Sequence, residues 1–181
     1  MTVWRFAKYQ VKCLLLDRKG NIWAGGINGG LSLFNPQSGL FSNYQNVSEN
    51  PGSLSQRTVS AIFEDNQSNL WVGTHRAGVN LYTPKANKFK LLQNEPDNNS
   101  LSYNDVRAFC EDEQHHIWIG TDGGGINVYN PSAGTFKYYR NNPNNNQSLA
   151  ACAVLEIYKA GERKVWVSTW GCGLNYLDKR P

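Results

Sequence analysis

The 181-residue sequence predicts an all-β fold made of β-propeller blades: about four four-stranded antiparallel repeats of 47–48 residues, forming an open or partial propeller. Three observations carry this expectation. Trp23, Trp71, Trp118 and Trp166 recur at spacings of 48, 47 and 48 residues. Val11, Val59, Val106 and Val154 lie twelve residues before them, and Gly30, Gly78, Gly125 and Gly173 seven after. The pairs Ser53-Leu54, Ser100-Leu101 and Ser148-Leu149 keep the same phase, as do Pro36, Pro84 and Pro131.

Each repeat reads as four strands. In the second copy, strand A is Val59 to Glu64, with apolar residues on alternate positions and some on both faces. A turn over Asp65 to Asn69 leads to strand B, Leu70 to Thr74. Strand C, Val79 to Tyr82, follows a glycine-bearing turn suited to positive φ and is closed by Pro84, which has no N–H for a ladder. Strand D is Phe89 to Leu92, and a polar linker of roughly a dozen residues precedes the next strand A. A lone sheet of this kind cannot bury both faces, so the tryptophans and the recurring Tyr and Phe residues are expected to pack blade on blade. The phase divides the chain into a partial outer strand at 1–10, blade 1 with its linker at 11–57, blade 2 at 58–104, blade 3 at 105–152, and blade 4 at 153–181, which lacks strand D.

Composition narrows the function classes. A net charge of +4, scattered along the chain, does not suit nucleic acid. No apolar run is long enough to span a membrane, and Leu14 to Leu16 is too short for a signal peptide, so neither is expected here. Cys13, Cys110, Cys152 and Cys172 show no zinc spacing. Cys13 and Cys110 sit in apolar strand A contexts, whereas Cys152 and Cys172 share one face and could be a disulfide or two thiols.

The A–B–C–D order puts the B–C turns and the D–A linkers on one face, where loops vary while strands repeat. The turns read Ile27-Asn28-Gly29, His75-Arg76-Ala77, Asp122-Gly123-Gly124 and Trp170-Gly171-Cys172. His75, Arg76, Asp122 and Trp170 offer a cation, an anion, hydrogen bonds and a stacking surface. That mixture suits a sugar, with its apolar ring faces and polar edges; the same residues also suit ordinary solvated turns. Asp112-Glu113-Gln114-His115-His116 fills an A–B turn on the opposite face and reads as a solvated hairpin rather than a metal site. Gly123-Gly124-Gly125 lacks the following helix and Lys-Ser/Thr of a phosphate loop, and no catalytic triad order is present. No enzyme activity, metal or cofactor is expected.

The run Ile117-Trp118-Ile119-Gly120-Thr121-Asp122-Gly123-Gly124-Gly125-Ile126-Asn127-Val128-Tyr129-Asn130-Pro131 resembles the two-component regulator propeller repeat. So do Leu70-Trp71-Val72-Gly73-Thr74, the run Leu16 to Trp23 and the linker Asn94 to Leu101. The resemblance covers about residues 11 to 178. It implies the periplasmic sensor region of a hybrid two-component histidine kinase, responding to an extracytoplasmic ligand, commonly a glycan, and passing the signal to a kinase that this chain lacks. An oligosaccharide is therefore the expected ligand, with a structural or protein-interaction propeller as the alternative. A propeller lyase or hydrolase would need clustered ligands on the loop face that His75 alone does not provide.

Ring closure is in question. Phe6-Ala7-Lys8-Tyr9 matches the D strands Phe41-Ser42-Asn43-Tyr44 and Phe136-Lys137-Tyr138-Tyr139 and could complete blade 4. Only Gln10 separates Tyr9 from Val11. Crossing a blade from rim to axis spans ~14 Å, three strand gaps, while one residue reaches only ~3.5 Å. An open segment is expected, self-associating through exposed blade faces.

Overall fold

The computed structural model describes residues 9–83, 88–96 and 99–178. It contains four antiparallel sheets built from strands in simple chain order. Blade 1 holds β1 (Val11–Leu16), β2 (Ile22–Gly26), β3 (Gly30–Asn35) and β4 (Leu40–Tyr44). Blade 2 holds β5 (Val59–Glu64), β6 (Leu70–Thr74), β7 (Val79–Thr83) and β8 (Lys88–Leu92). Blade 3 holds β9 (Val106–Glu111), β10 (Ile117–Thr121), β11 (Gly125–Asn130) and β12 (Thr135–Tyr139). Blade 4 holds β13 (Val154–Ala160), β14 (Lys164–Thr169) and β15 (Gly173–Asp178), with no fourth strand among the described residues. No described helix is long and apolar enough to cross a membrane.

The chain divides into two compact units, Met1–His75 with Asn80–Leu91 and Arg76–Val79 with Leu92–Pro181. In the first, Trp23, Leu31, Leu54, Val59, Leu70, Val72 and Phe89 form a buried cluster. In the second, Trp118, Ile126, Leu149, Val154, Ile157, Val165 and Val167 belong to an equivalent one. Within each unit the fit depends on a glycine in strand B. A Cβ on Gly25 would lie 2.5 Å from Val59 Cγ1, and one on Gly120 2.6 Å from Val154 Cγ1. Each glycine is thus a hole that receives the first valine of the next blade's strand A, which explains why both residues keep the repeat's phase.

The recurring tryptophan is fixed by a second device that the repeat spacing did not announce. The first residue of the A–B turn is an aspartate that accepts the indole N–H six residues on: Trp23 to Asp17, Trp71 to Asp65 and Trp118 to Asp112, each at 2.9 Å. The other carboxylate oxygen accepts two backbone N–H groups of the turn, from Lys19 and Asn21, Gln67 and Asn69, or Gln114 and His116. One carboxylate therefore closes the hairpin and orients the ring, which in blade 1 meets Tyr82 of blade 2 and in blade 3 joins the cluster with Val165 and Val167 of blade 4. Blade 4 has Ala160 at this position, six residues before Trp166.

The linkers carry a matching signature. Asn46, Asn94 and Asn141 donate their side-chain N–H to the carbonyls of Leu54, Leu101 and Leu149 at 2.8, 2.7 and 2.7 Å. Ser53, Ser100 and Ser148 bridge back to the N–H and carbonyl of Val47, Glu95 and Asn142. The loop is thereby folded on itself, which lets the leucine enter the core. Leu54 and Leu101 are fully buried and Leu149 nearly so. Of the segment Phe6 to Tyr9, only Tyr9 lies among the described residues. It stands against Gly29 in the B–C turn of blade 1, and a Cβ there would meet Tyr9 Cβ at 3.1 Å. Pro84 lies outside the described residues.

Two predictions follow from this packing. Gly120→Ala forces a methyl into the Val154 contact, an overpacking of about 1–3 kcal/mol, read as a lowered midpoint in urea unfolding. The carboxyl of Asp17 is held below its ordinary value: burial pushes it up, but hydrogen bonds from the Asn21 side chain, the Trp23 indole and the N–H groups of Asn21 and Lys19 outweigh that. A depressed carboxylate contributes stability that is complete above its unfolded value, near 3.8, and is lost as pH falls through its folded one. Asp17→Asn is therefore expected to destabilise the chain at pH 7, with the difference from the parent shrinking below about pH 4. A gap of constant size from pH 7 to pH 2 would contradict this.

Candidate functional site

Within each unit a repeated main-chain clasp ties the B–C turns to the linker ends. The residue just before each strand A accepts an N–H from its own blade's turn: Ile27 to Gln10, His75 to Thr58, Asp122 to Asp105 and Trp170 to Ala153, at 2.9, 3.1, 2.8 and 2.9 Å. The preceding residue accepts the N–H of the glycine that opens strand C of the previous blade. These bonds join Gly30 to Arg57, Gly78 to Asn104 and Gly125 to Cys152 at 2.7, 2.8 and 2.8 Å. The three glycines have φ of 69°, 77° and 76°, and a Cβ on any of them would strike a backbone carbonyl oxygen at 2.3 Å. The site face is thus set by main-chain bonds, leaving the turn side chains free to vary.

His75 belongs to the first unit and is half-buried; Arg76, Asp122 and Trp170 belong to the second. Asp122 and Trp170 meet at one point of the backbone, since Asp122 bridges Ala153 and the Trp170 N–H donates to it. The Trp170 side chain is 72% exposed, a bare aromatic surface. Asp122 is not a free anion: its Oδ2 accepts Arg107 Nη2 at 2.6 Å, and the Nε of the same guanidinium lies 3.4 Å from the buried Asp105. Arg76 is exposed at a backbone φ of 62° and lines a cleft of about 260 Å³ with Asn94, Tyr103, Asn104 and Asp105.

Tyr103 and Arg107 are the members that turn composition did not point to. Tyr103 stands near the end of a linker, where the equivalent residues of the neighbouring repeats are Gln56 and Ala151. A comparison of linker ends, made as the turns were compared, marks it as the odd residue. Its ring lies against the Gly123-Gly124 segment, where a Cβ would sit 3.3 Å from Tyr103 Cε1 or 2.7 Å from its Cβ. The blade 3 glycine run therefore seats an aromatic ring.

The remaining polar residues are accounted for structurally. In the A–B turn of blade 3, His115 Nδ1 lies 3.0 Å from Glu111, and Glu113 pairs with Lys159 at 2.6 Å. No group of three or more His, Cys, Asp or Glu side chains among the described residues could hold a metal ion. All four cysteines are thiols; Cys152 and Cys172 are not joined, and Cys152 Sγ accepts the Asn141 N–H at 3.3 Å. Burial pushes the Cys13 thiol up to about 11, which suppresses its thiolate.

Comparison with known proteins agrees with this architecture. No curated protein matches the chain in sequence. Among solved structures, PorZ, a surface component of the type-IX secretion system of Porphyromonas gingivalis, superposes with a TM-score of 0.67 at 20% identity over 93% of this chain and 26% of PorZ. A virginiamycin B lyase from Staphylococcus aureus gives 0.65 at 15% identity over 94% of this chain and 56% of the lyase. The extracellular domain of a protein described as a hybrid two component system from B. thetaiotaomicron gives 0.48 at 21% identity over 99% of this chain and 35% of that one. The chain spans well under two thirds of each, and at these identities the likeness to PorZ and to the lyase is one of fold. Residues 53–76 and 100–123, each running from a linker Ser-Leu pair to a B–C turn, match the two component regulator propeller family model, so two of the four repeats are similar to that family's.

Proposed function

We propose that this chain is a non-catalytic part of the sensor propeller of a two-component signalling regulator, outside the cytoplasm. It binds a ligand, a glycan, on the face of the B–C turns and passes the signal to a kinase carried elsewhere in the parent protein. The observation that carries the reading is the exposed indole of Trp170, in a turn whose backbone meets that of Asp122 at Ala153 and is fixed by the clasp. A rigid scaffold with variable aromatic and polar side chains suits recognition of an amphipathic ring. Periplasmic placement is supported by the family's repeats and by their association with two-component regulators.

A specific observation favours a protein-interaction property as well. Leu174 is 65% exposed, whereas Leu31, Val79 and Ile126 at the same place in the other blades are fully buried. Val11 is 42% exposed, whereas Val59, Val106 and Val154 are fully buried. Leu31 shares a cluster with Val59, and Ile126 with Val154, so an exposed Leu174 and an exposed Val11 each present one side of that kind of contact. The proposal is that a second copy supplies the missing half. Ser168 stands where Gly25, Gly73 and Gly120 stand in the other blades, so its side chain occupies the hole that a docking valine needs.

Two measurements check these readings. In a thermal-shift screen of oligosaccharides, at least one is expected to raise the melting temperature and to be recovered unaltered by mass spectrometry, with the shift reduced in Trp170→Ala or His75→Ala. If no glycan shifts the melting temperature, the glycan reading fails; a ligand recovered cleaved would make the chain an enzyme. In sedimentation, self-association is expected to rise with concentration, to weaken in Leu174→Arg and to tighten several-fold in Ser168→Gly. The mass of a single chain at every concentration would sink the second-copy proposal.

A further inference from the structure

The cleft lined by Arg76, Asn94, Tyr103, Asn104 and Asp105 lies apart from the Trp170 surface and has a chemistry of its own. At about 260 Å³ it is smaller than the roughly 300–1,000 Å³ of sites for drug-sized ligands, which suits a single ring. One wall is Tyr103, which has one side on the Gly123-Gly124 backbone and remains 46% exposed. A ring propped on glycine backbone is held in place without being covered, as a stacking platform needs. A second wall is Asn104. Its Oδ1 accepts the Asn94 N–H at 2.6 Å, which orients the amide and leaves its Nδ2 without a partner among the described residues.

The third element is Arg76. Its place in the turn demands positive φ: Asn28 takes 57° there in blade 1 and Gly171 72° in blade 4, residue types that enter this region at little cost. An arginine at 62° fits this region less well than asparagine or glycine, so the turn geometry alone does not call for it. Among the described residues the Arg76 guanidinium makes no ion pair, and the two nearby carboxylates, Asp105 and Asp122, are both taken by Arg107. A planar platform, an oriented amide donor and an uncommitted guanidinium together match a sugar ring that bears a carboxylate.

We propose that this cleft binds a uronic acid residue. Its ring lies on Tyr103, its carboxylate takes paired hydrogen bonds from Arg76, and a ring hydroxyl accepts from Asn104 Nδ2. The inference rests on the glycan reading above and sharpens it by naming the sugar and moving the recognition of charge away from Asp122 and Trp170. Because Arg107 is held between two carboxylates, the cleft has one guanidinium for the incoming anion, and binding weakens as salt rises.

The test titrates the full chain with methyl glucuronide and with methyl glucoside, followed by NMR. The glucuronide is expected to bind at least tenfold more tightly. Arg76→Asn keeps the turn, as Asn28 does in blade 1, and is expected to abolish that preference without lowering the melting temperature. Tyr103→Ala is expected to weaken both sugars, and Tyr103→Phe to retain them. Equal affinity for the two glycosides, or a preference that survives Arg76→Asn, overturns the uronate assignment while leaving glycan sensing in place. If neither glycoside binds and the oligosaccharide screen is also blank, the broader reading falls with it.

Discussion

The structure depends on the fact that a four-stranded sheet has two faces and can bury neither alone. Within each unit the solution is a knob entering a hole, the strand A valine over the strand B glycine, with a linker leucine driven in beside it. The other repeated features serve that contact. The aspartate at the A–B turn fixes the orientation of the tryptophan ring. The linker asparagine and serine fold the loop so that the leucine reaches the core, and the strand C glycine lets two backbones approach within one hydrogen bond. Removing a partner from any of these would leave either a void or an unsatisfied polar group at the blade boundary.

Most of this architecture was legible in the sequence because repetition separates signal from local noise. A valine, a tryptophan and a glycine each say little alone; in one phase over four copies they specify strands to within a residue or two. The roles of the residues were less legible. Asp65 in an Asp-Asn-Gln-Ser-Asn turn reads as turn chemistry, and nothing in its local pattern says that its second oxygen reaches Trp71. Likewise the pairs Ser53-Leu54 and Ser100-Leu101 were visible as a phase marker, but a serine that locks a loop and a leucine that plugs a core look the same in one dimension.

The candidate site was read less completely, for a related reason. Scanning the turns found Arg76, Asp122 and Trp170, since they break a repeated pattern in an exposed element. It could not show that Asp122 is neutralised by Arg107, which sits on strand A and looks like a solvated surface residue. Nor could it show that Tyr103, from a different loop, faces the same cleft as Arg76. Side chains that converge from separate loops share no spacing in the chain. Only the backbone clasp, which registers each turn on the next linker, puts them together.

The absence of a carboxylate at Ala160 gives the chain an optical asymmetry. Trp23, Trp71 and Trp118 are all buried with their indole nitrogen bound to an aspartate, an environment that favours blue-shifted emission. Trp166 lacks that partner and is only half-buried, while Trp170 stands in solvent. Among the described residues, then, the red edge of the tryptophan spectrum belongs to blade 4 and the blue edge to blades 1 to 3. Without any label, collisional quenching can follow the last blade by its colour while Trp23, Trp71 and Trp118 stay silent.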